Sequence, residues 1–363
     1  MQSSKRKLSL KHSLSFSLFH NCQRRDMLSC WNIPLLHSPS RSWAFKLVIF
    51  FVLVIVVEVH GEAITKEGRY FISWEDLRLD HPKVGLNWTT NRVIVVDKDG
   101  NGNSVSVHLV PLNNTKRVKI FILPGIYREK VHVPKSKPYI SFIGNKSRTS
   151  ETVITWNDKA STRDNTGREL GTYRSASVTV ESNYFCSTGI TFQNTVVAVP
   201  GAQGVQAMAL RISGDRAMLY RIRVIGSQDT LLDDRGTHYF YKCHVQGSID
   251  FICGQSRSLY DRCVLQSTAT GAGAVAAHRR SSPDENTGFS FVRCTVTGTG
   301  SIFLGRAWGN YSLTVYSYCY FHNIITPAGW RDWNLPYRQK TAVFEEYHCQ
   351  GGGADTKGRV LQL

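Results

Sequence analysis

The sequence predicts an all-β protein, a right-handed parallel β-helix built as a single domain, and three observations carry that expectation. Short alternating strands recur in similar surroundings, as "YRIRVIG" around Ile222, "YKCHVQG" around Cys243, "YDRCVLQS" around Cys263, "FVRCTVTG" around Cys294 and "YSYCYFHN" around Cys319. Their anchors lie 21, 20, 31 and 25 residues apart, the mark of coils with equal strands and unequal loops. Val, Ile, Thr, Tyr and Phe dominate the patterned segments, Gly and Asn punctuate them, and helical periodicity is weak throughout. Finally, the small turn "GSQD" at 226–229 returns as "GSID" at 247–250. A β-helix accommodates all three, because each strand stacks on the next coil and only the two ends need covering. A β-sandwich is the alternative that the same strand pattern allows.

Taken from the N-terminus, residues 1–61 read as a leader: Ser, Lys and Arg are frequent as far as Lys46, and eleven consecutive apolar residues, Leu47–Val57, follow. That run fits the apolar region of a signal peptide and falls well short of the ~20 residues that cross a bilayer. Secretion without stable membrane insertion is the expectation, and initiation at Met27 would shorten the leader. Residues 62–91 form an N-terminal extension and 92–363 the β-helix domain. A chain of 363 residues with 42% hydrophobic content can bury a large core. The net charge of +17 falls to +11 without the leader, which holds eight Lys/Arg and two Asp/Glu. The basic residues are scattered rather than gathered in one arm or helix, which argues for an anionic extracellular polymer and against nucleic acid as partner. Sequons at Asn87, Asn113, Asn145 and Asn310 suit a secreted chain. Seven cysteines lie beyond the leader; one or two disulfides and at least one free thiol are expected. No Cys/His group has zinc spacing, so no metal site is expected.

Asp229 lies seven residues after Ile222, and Asp250 seven after Cys243. Stacked coils would bring their backbones to about 4.8 Å, the spacing of hydrogen-bonded strands. Two carboxylates that close do not both ionise freely near neutral pH, so one keeps its proton beside an ionised partner. This is an arrangement suited to acid/base work combined with nucleophilic attack. A lone Asp after Gly-Ser is better read as a turn residue satisfying backbone N–H groups; the doubling at matched coil positions weakens that reading.

The ordered runs "PGIYREKV", "GITFQNT", "VQAMALRISGDRA", "GSQDTLL", "GSIDFICG", "FLGRAW" and "PAGW" together resemble the plant pectin methylesterase (pectinesterase) family over roughly residues 92–360. The resemblance implies a right-handed parallel β-helix that hydrolyses methyl esters of polygalacturonate (pectin, homogalacturonan) to pectate and methanol, as a secreted cell-wall monomer without cofactor. It also implies a proteinaceous pectinesterase inhibitor as partner, and the form of the family without an inhibitor-like pro-region. Position by position, Asp250 corresponds to the nucleophile, Asp229 to the general acid that becomes the base, Gln206 and Gln228 to oxyanion donors, and Arg306 to the cation that holds the nucleophile ionised. Trp308, Trp330, Tyr173 and Phe251 correspond to substrate-binding positions. The chain departs from the family at Tyr173, Leu232 and Cys253, where aromatic residues of other kinds are usual, and at Ala307, where proline is usual. It also ends at "GRVLQL", short of the family's usual C-terminal extension.

Other chemistries are less well supplied. A glycosidase would pair Asp233 with Asp234 in "LLDDRG", yet adjacent aspartates on a turn point differently and read as a solvated loop. A calcium-dependent lyase lacks a carboxylate cluster, and no G-x-S-x-G marks a serine esterase. A pectin-binding β-helix with weak turnover is the remaining alternative.

Overall fold

The computed structural model describes residues 93–98, 104–199 and 201–360, all within the unit Tyr70–Leu363. The leader and the extension expected at 62–91 lie outside the described residues. Every strand pairing between them is parallel. Ten strands, from Val93–Val96 to Val343–Tyr347, form one sheet, and fourteen form a second. A typical coil runs through Ala217–Tyr220 in the first sheet, turns, and returns through Arg223–Ile225 and Leu231–Asp233 in the second. The next repeats it as Thr237–Tyr241, His244–Gly247 and Ile252–Gly254. In later coils the two segments of the second sheet merge into single long strands, Val264–His278 and Thr295–Ala307. This is the expected right-handed parallel β-helix, with the hand that parallel crossovers adopt.

The register follows the sequence repeat. Arg223, His244, Val264, Thr295 and Tyr320 stack on successive coils, so the residues before them, Ile222, Cys243, Cys263, Cys294 and Cys319, form an inward column, each about 1% exposed. The disulfide expectation does not hold among the described residues, where none of the seven cysteines forms a disulfide. The column explains why. Each thiol of the column donates to a main-chain carbonyl of the preceding coil, Cys243 to Leu219 (3.3 Å), Cys263 to Phe240 (3.4 Å), Cys294 to Tyr260 (3.3 Å) and Cys319 to Phe291 (3.4 Å). Aromatic rings stack the same way, Phe240 on Tyr260 (4.5 Å), Tyr260 on Phe291 (4.7 Å) and Phe291 on Tyr316 (4.5 Å between centroids). Truncating a buried ring in such a stack costs about 3–5 kcal/mol.

The "LLDDRG" turn is not the solvated loop expected of it. Asp233 is fully buried, accepts a hydrogen bond from Tyr260 Oη (2.7 Å), and lies 2.5 Å from His238 Nδ1, whose Nε2 is 2.7 Å from the Gly214 carbonyl oxygen. With a carboxylate on one ring nitrogen and a carbonyl on the other, His238 is held in its doubly protonated form. Although burial opposes both charges, each partner's charge and hydrogen bond prevail, and the carboxyl is lowered while the imidazole is raised. Breaking a buried pair by removing one partner costs about 3–5 kcal/mol. The pair stabilises fully above the unfolded Asp value of ~3.9 and below the unfolded His value of ~6.5. Its contribution is lost as pH falls through the lowered Asp233 value or rises through the raised His238 value. Asp233→Asn should therefore lower Tm most between about pH 4 and 6.5, with the gap to wild type narrowing at higher pH; a gap that widens steadily with alkalinity contradicts the assignment.

Candidate active site

The two Gly-Ser-x-Asp turns join the two segments of the second sheet on adjacent coils. Ile225 pairs with Gln246 before the turns and Leu231 with Ile252 after them, and Gln228 bridges Ile249 between. Asp229 is thus registered against Asp250, as the repeat predicts. Both adopt left-handed backbone, φ 57° and 47°, which Asp tolerates better than most residues. The glycine that opens the second turn is required by space, because a Cβ at Gly247 would collide with the Phe251 side chain.

Asp250 is 5% exposed. Its Oδ2 accepts a hydrogen bond from Arg306 Nη1 at 2.9 Å, while its Oδ1 has no partner. Burial pushes Asp250 up and the Arg306 charge pulls it back, leaving it at about 6. Asp229 is pushed well above the carboxylate range, by burial first and the Asp250 charge second, against a smaller pull from Arg306. Near neutral pH the pair therefore holds one proton, on Asp229. Arg306 reaches Asp250 from two coils away, in the outward row Leu232, Cys253, Ala277, Arg306. Its guanidinium lies 4.0 Å from the ring centre of Trp333. Ala307, at the usual proline position, is buried and leaves this geometry intact.

Gln206 and Gln228 occupy the two coils leading to Asp250, linked by a hydrogen bond from Ala207 N–H to the Gln228 carbonyl (3.1 Å). Both side chains are half-buried, and no hydrogen bond engages either amide among the described residues. Beside them an apolar cluster separate from the main core comprises Met208, Leu232, Cys253, Ala277 and Ala176, with Tyr173, Trp308 and Trp333 packed on it. Leu232, Cys253 and Ala277 lie on successive coils, so the cluster runs along the coil axis beside the aspartates, and we take this strip as the candidate substrate groove. Leu232 and Cys253 lie in its floor, and Cys253 remains a neutral thiol, since burial and then the neighbouring aspartates raise it far above its usual value. Tyr173, on the single helical turn Gly171–Arg174, bonds through its hydroxyl to Asp234, and the Arg211 guanidinium is 4.4 Å from its ring centre.

Two expected substrate contacts lie elsewhere. Phe251 is fully buried in the main core, and Trp330 is 1% exposed, stacked on Phe344 at 4.5 Å with its Nε1 donating to Glu346 (3.2 Å). Trp330 opens the two-residue strand Trp330–Arg331 and points inward. Trp333, three residues on, is the tryptophan that joins Trp308, 6.5 Å away and nearly parallel. The sequence carried this signal in "GWRDW", where the second tryptophan lies past the strand's end.

A parallel β-helix that presents a proton-sharing carboxylate pair, an arginine on one of the two and amide groups beside aromatic rings has the parts of a carboxylic ester hydrolase. The Pectinesterase family model matches residues 93–362. Pectinesterase QRT1 of Arabidopsis thaliana is 58% identical over 319 residues, covering 81% of this chain and 84% of that protein. Pectinesterase 31 of the same plant is 38% identical over 282 residues, 75% and 86% of the two chains. Pectin methylesterase from carrot superposes with a TM-score of 0.66 at 32% identity, over 76% of this chain and 87% of that one. The chain belongs to the pectinesterase family, and its reaction is hydrolysis of pectin methyl esters.

Trp330→Ala and Trp333→Ala should separate core from groove. The first should destabilise the fold by about 3–5 kcal/mol. The second should leave Tm nearly unchanged and lower kcat/KM at least about tenfold, because Arg306 loses the ring beneath it. The reverse pattern in thermal melts and kinetics would restore Trp330 to the groove.

Proposed function

We propose that Asp250 attacks the ester carbonyl carbon through its unpartnered Oδ1, with Oδ2 held by Arg306. The carbonyl π electrons move to oxygen, and the amides of Gln206 and Gln228 donate to the resulting oxyanion without adding charge. Collapse breaks the bond to the methoxy oxygen, which takes the Asp229 proton and departs as methanol, leaving an acyl anhydride on Asp250. Water then gives its proton to Asp229 and adds to the acyl carbon; collapse releases the galacturonate carboxyl and restores Asp250 as carboxylate. The observation that supports these roles is the unequal environment of the pair. One carboxylate is ionised with a free oxygen, while its neighbour is kept protonated.

Trp308, Trp333 and Tyr173 flank the sugar chain in this reading, with flat rings able to pack on pyranose faces. We place the reaction outside the cell, at the wall, on the strength of the signal-like Leu47–Val57 run and the substrate itself. The enzyme works as a monomer, since both aspartates, the arginine and the groove come from one chain.

Methanol release from esterified pectin tests the roles. Asp250→Asn should reduce it by at least about 10³-fold, and Asp229→Asn by about 10²–10⁴-fold. Both variants should fold, because each removes one of two crowded carboxylates. Near wild-type turnover by Asp250→Asn would overturn the assignment.

A further inference from the structure

One corner of the β-helix carries a second charged surface that the catalytic groove does not use. On four successive coils the turn between the first and second sheets is made by a single cationic residue in left-handed conformation, Arg221, Lys242, Arg262 and Arg293, with φ between 47° and 54°. These stack on successive coils, as shown by the flanking pairs Tyr220 with Tyr241, Tyr241 with Asp261 and Asp261 with Val292. At about 4.8 Å per coil the four cations make a column about 14 Å long. Only Arg293 is ion-paired among the described residues, to Asp261 at 3.0 Å. A cavity of about 410 Å³ opens beside the first two, where Lys146, Arg223 and His244 join Arg221 and Lys242, and no acidic side chain lines it.

Two features set this corner apart from a merely solvated basic face. The leading cations are pre-positioned on aromatic rings, Arg221 over Tyr220 (5.4 Å) and Lys242 over Tyr241 (5.1 Å), and the two rings stack on each other at 5.7 Å. Holding long side chains in place before a ligand arrives reduces the ordering cost of binding. The like charges also repel along the column, a cost that an anionic ligand would relieve. The repeat is linear, with one cation per coil, which suits an extended polymer carrying regularly spaced carboxylates and gives no cradle for a compact phosphate.

We propose that this corner is a non-catalytic docking surface for de-esterified polygalacturonate, the polyanionic product of the reaction assigned to the groove. The inference rests on that reading for the identity of the polymer. Arg221 precedes Asp229 by eight residues and Lys242 precedes Asp250 by eight, one full strand before the catalytic turn, and the cavity shares no residue with the groove. A chain bound there tethers the enzyme to pectate already made while the groove works on ester. Binding of this kind weakens as salt rises through ~0.05–0.5 M, where surface charges become screened.

The test uses the double variant Arg221→Asn/Lys242→Asn, because Asn accepts left-handed backbone and removes both charges without straining the corner. Affinity for de-esterified polygalacturonate, fully esterified pectin and duplex DNA is measured at 50 mM salt, together with methanol release from a methyl-esterified trisaccharide. Wild type should prefer polygalacturonate. The variant should bind it at least about tenfold more weakly, with unchanged kcat/KM on the trisaccharide. Equal polygalacturonate affinity in variant and wild type overturns the proposal, as does wild-type preference for DNA. Charge-dependent pectate binding by a chain that releases no methanol supports the surface and counts against the catalytic roles instead.

Discussion

Parallel coils can stack only at the spacing of hydrogen-bonded strands, and at that spacing any residue repeated at the same place in successive coils meets its own copy. For apolar residues this gives the stacked rings of Phe240, Tyr260, Phe291 and Tyr316. For Asp229 and Asp250 it brings together two carboxyl groups from the turns of adjacent coils, where burial and mutual repulsion keep them from both ionising freely at neutral pH. The chemistry follows from how the fold resolves that conflict. Arg306, delivered by a strand two coils further on, bonds directly to Asp250 and pulls less on Asp229, so the remaining proton belongs to Asp229. Nothing in the turns themselves distinguishes the two aspartates; the difference comes from across the sheet.

The same spacing organises what surrounds the pair. The outward row Leu232, Cys253, Ala277 and Arg306 carries the groove floor directly to the arginine, and Trp333 packs over that guanidinium while lining the wall with Trp308. The aromatic wall and the charge control of Asp250 therefore share residues. Leu232 and Cys253 make the floor apolar, with Trp308, Trp333 and Tyr173 packed beside it.

Much of this was legible in the chain because repetition is a strong signal. Strand anchors at Ile222, Cys243, Cys263, Cys294 and Cys319 predicted the register, and the register predicted that Asp229 would face Asp250. Where the pattern was too short to show which way a side chain points, the reading erred. Trp330 begins a strand of two residues, and Phe251 lies just past a left-handed corner, so neither had an alternating run to mark it as inward. The cysteines repeat like partners for bonds, yet they repeat because one small, weakly donating side chain fits a recurring core position under a carbonyl. Asp233 looked like half of a polar turn, and only the fold brings His238 and Tyr260 to it.

Environment alone makes one of two equivalent aspartates ionise readily while its twin keeps a proton. Carbon-13 detected NMR titration of the aspartate carboxyl groups, in wild type and in Arg306→Met, measures this directly. In wild type Asp250 should titrate near 6 and Asp229 well above the ordinary carboxylate range, and Asp250 should rise when the guanidinium is removed. Two aspartates titrating together near the ordinary value of about 3.9, or an Asp250 indifferent to Arg306, would contradict this.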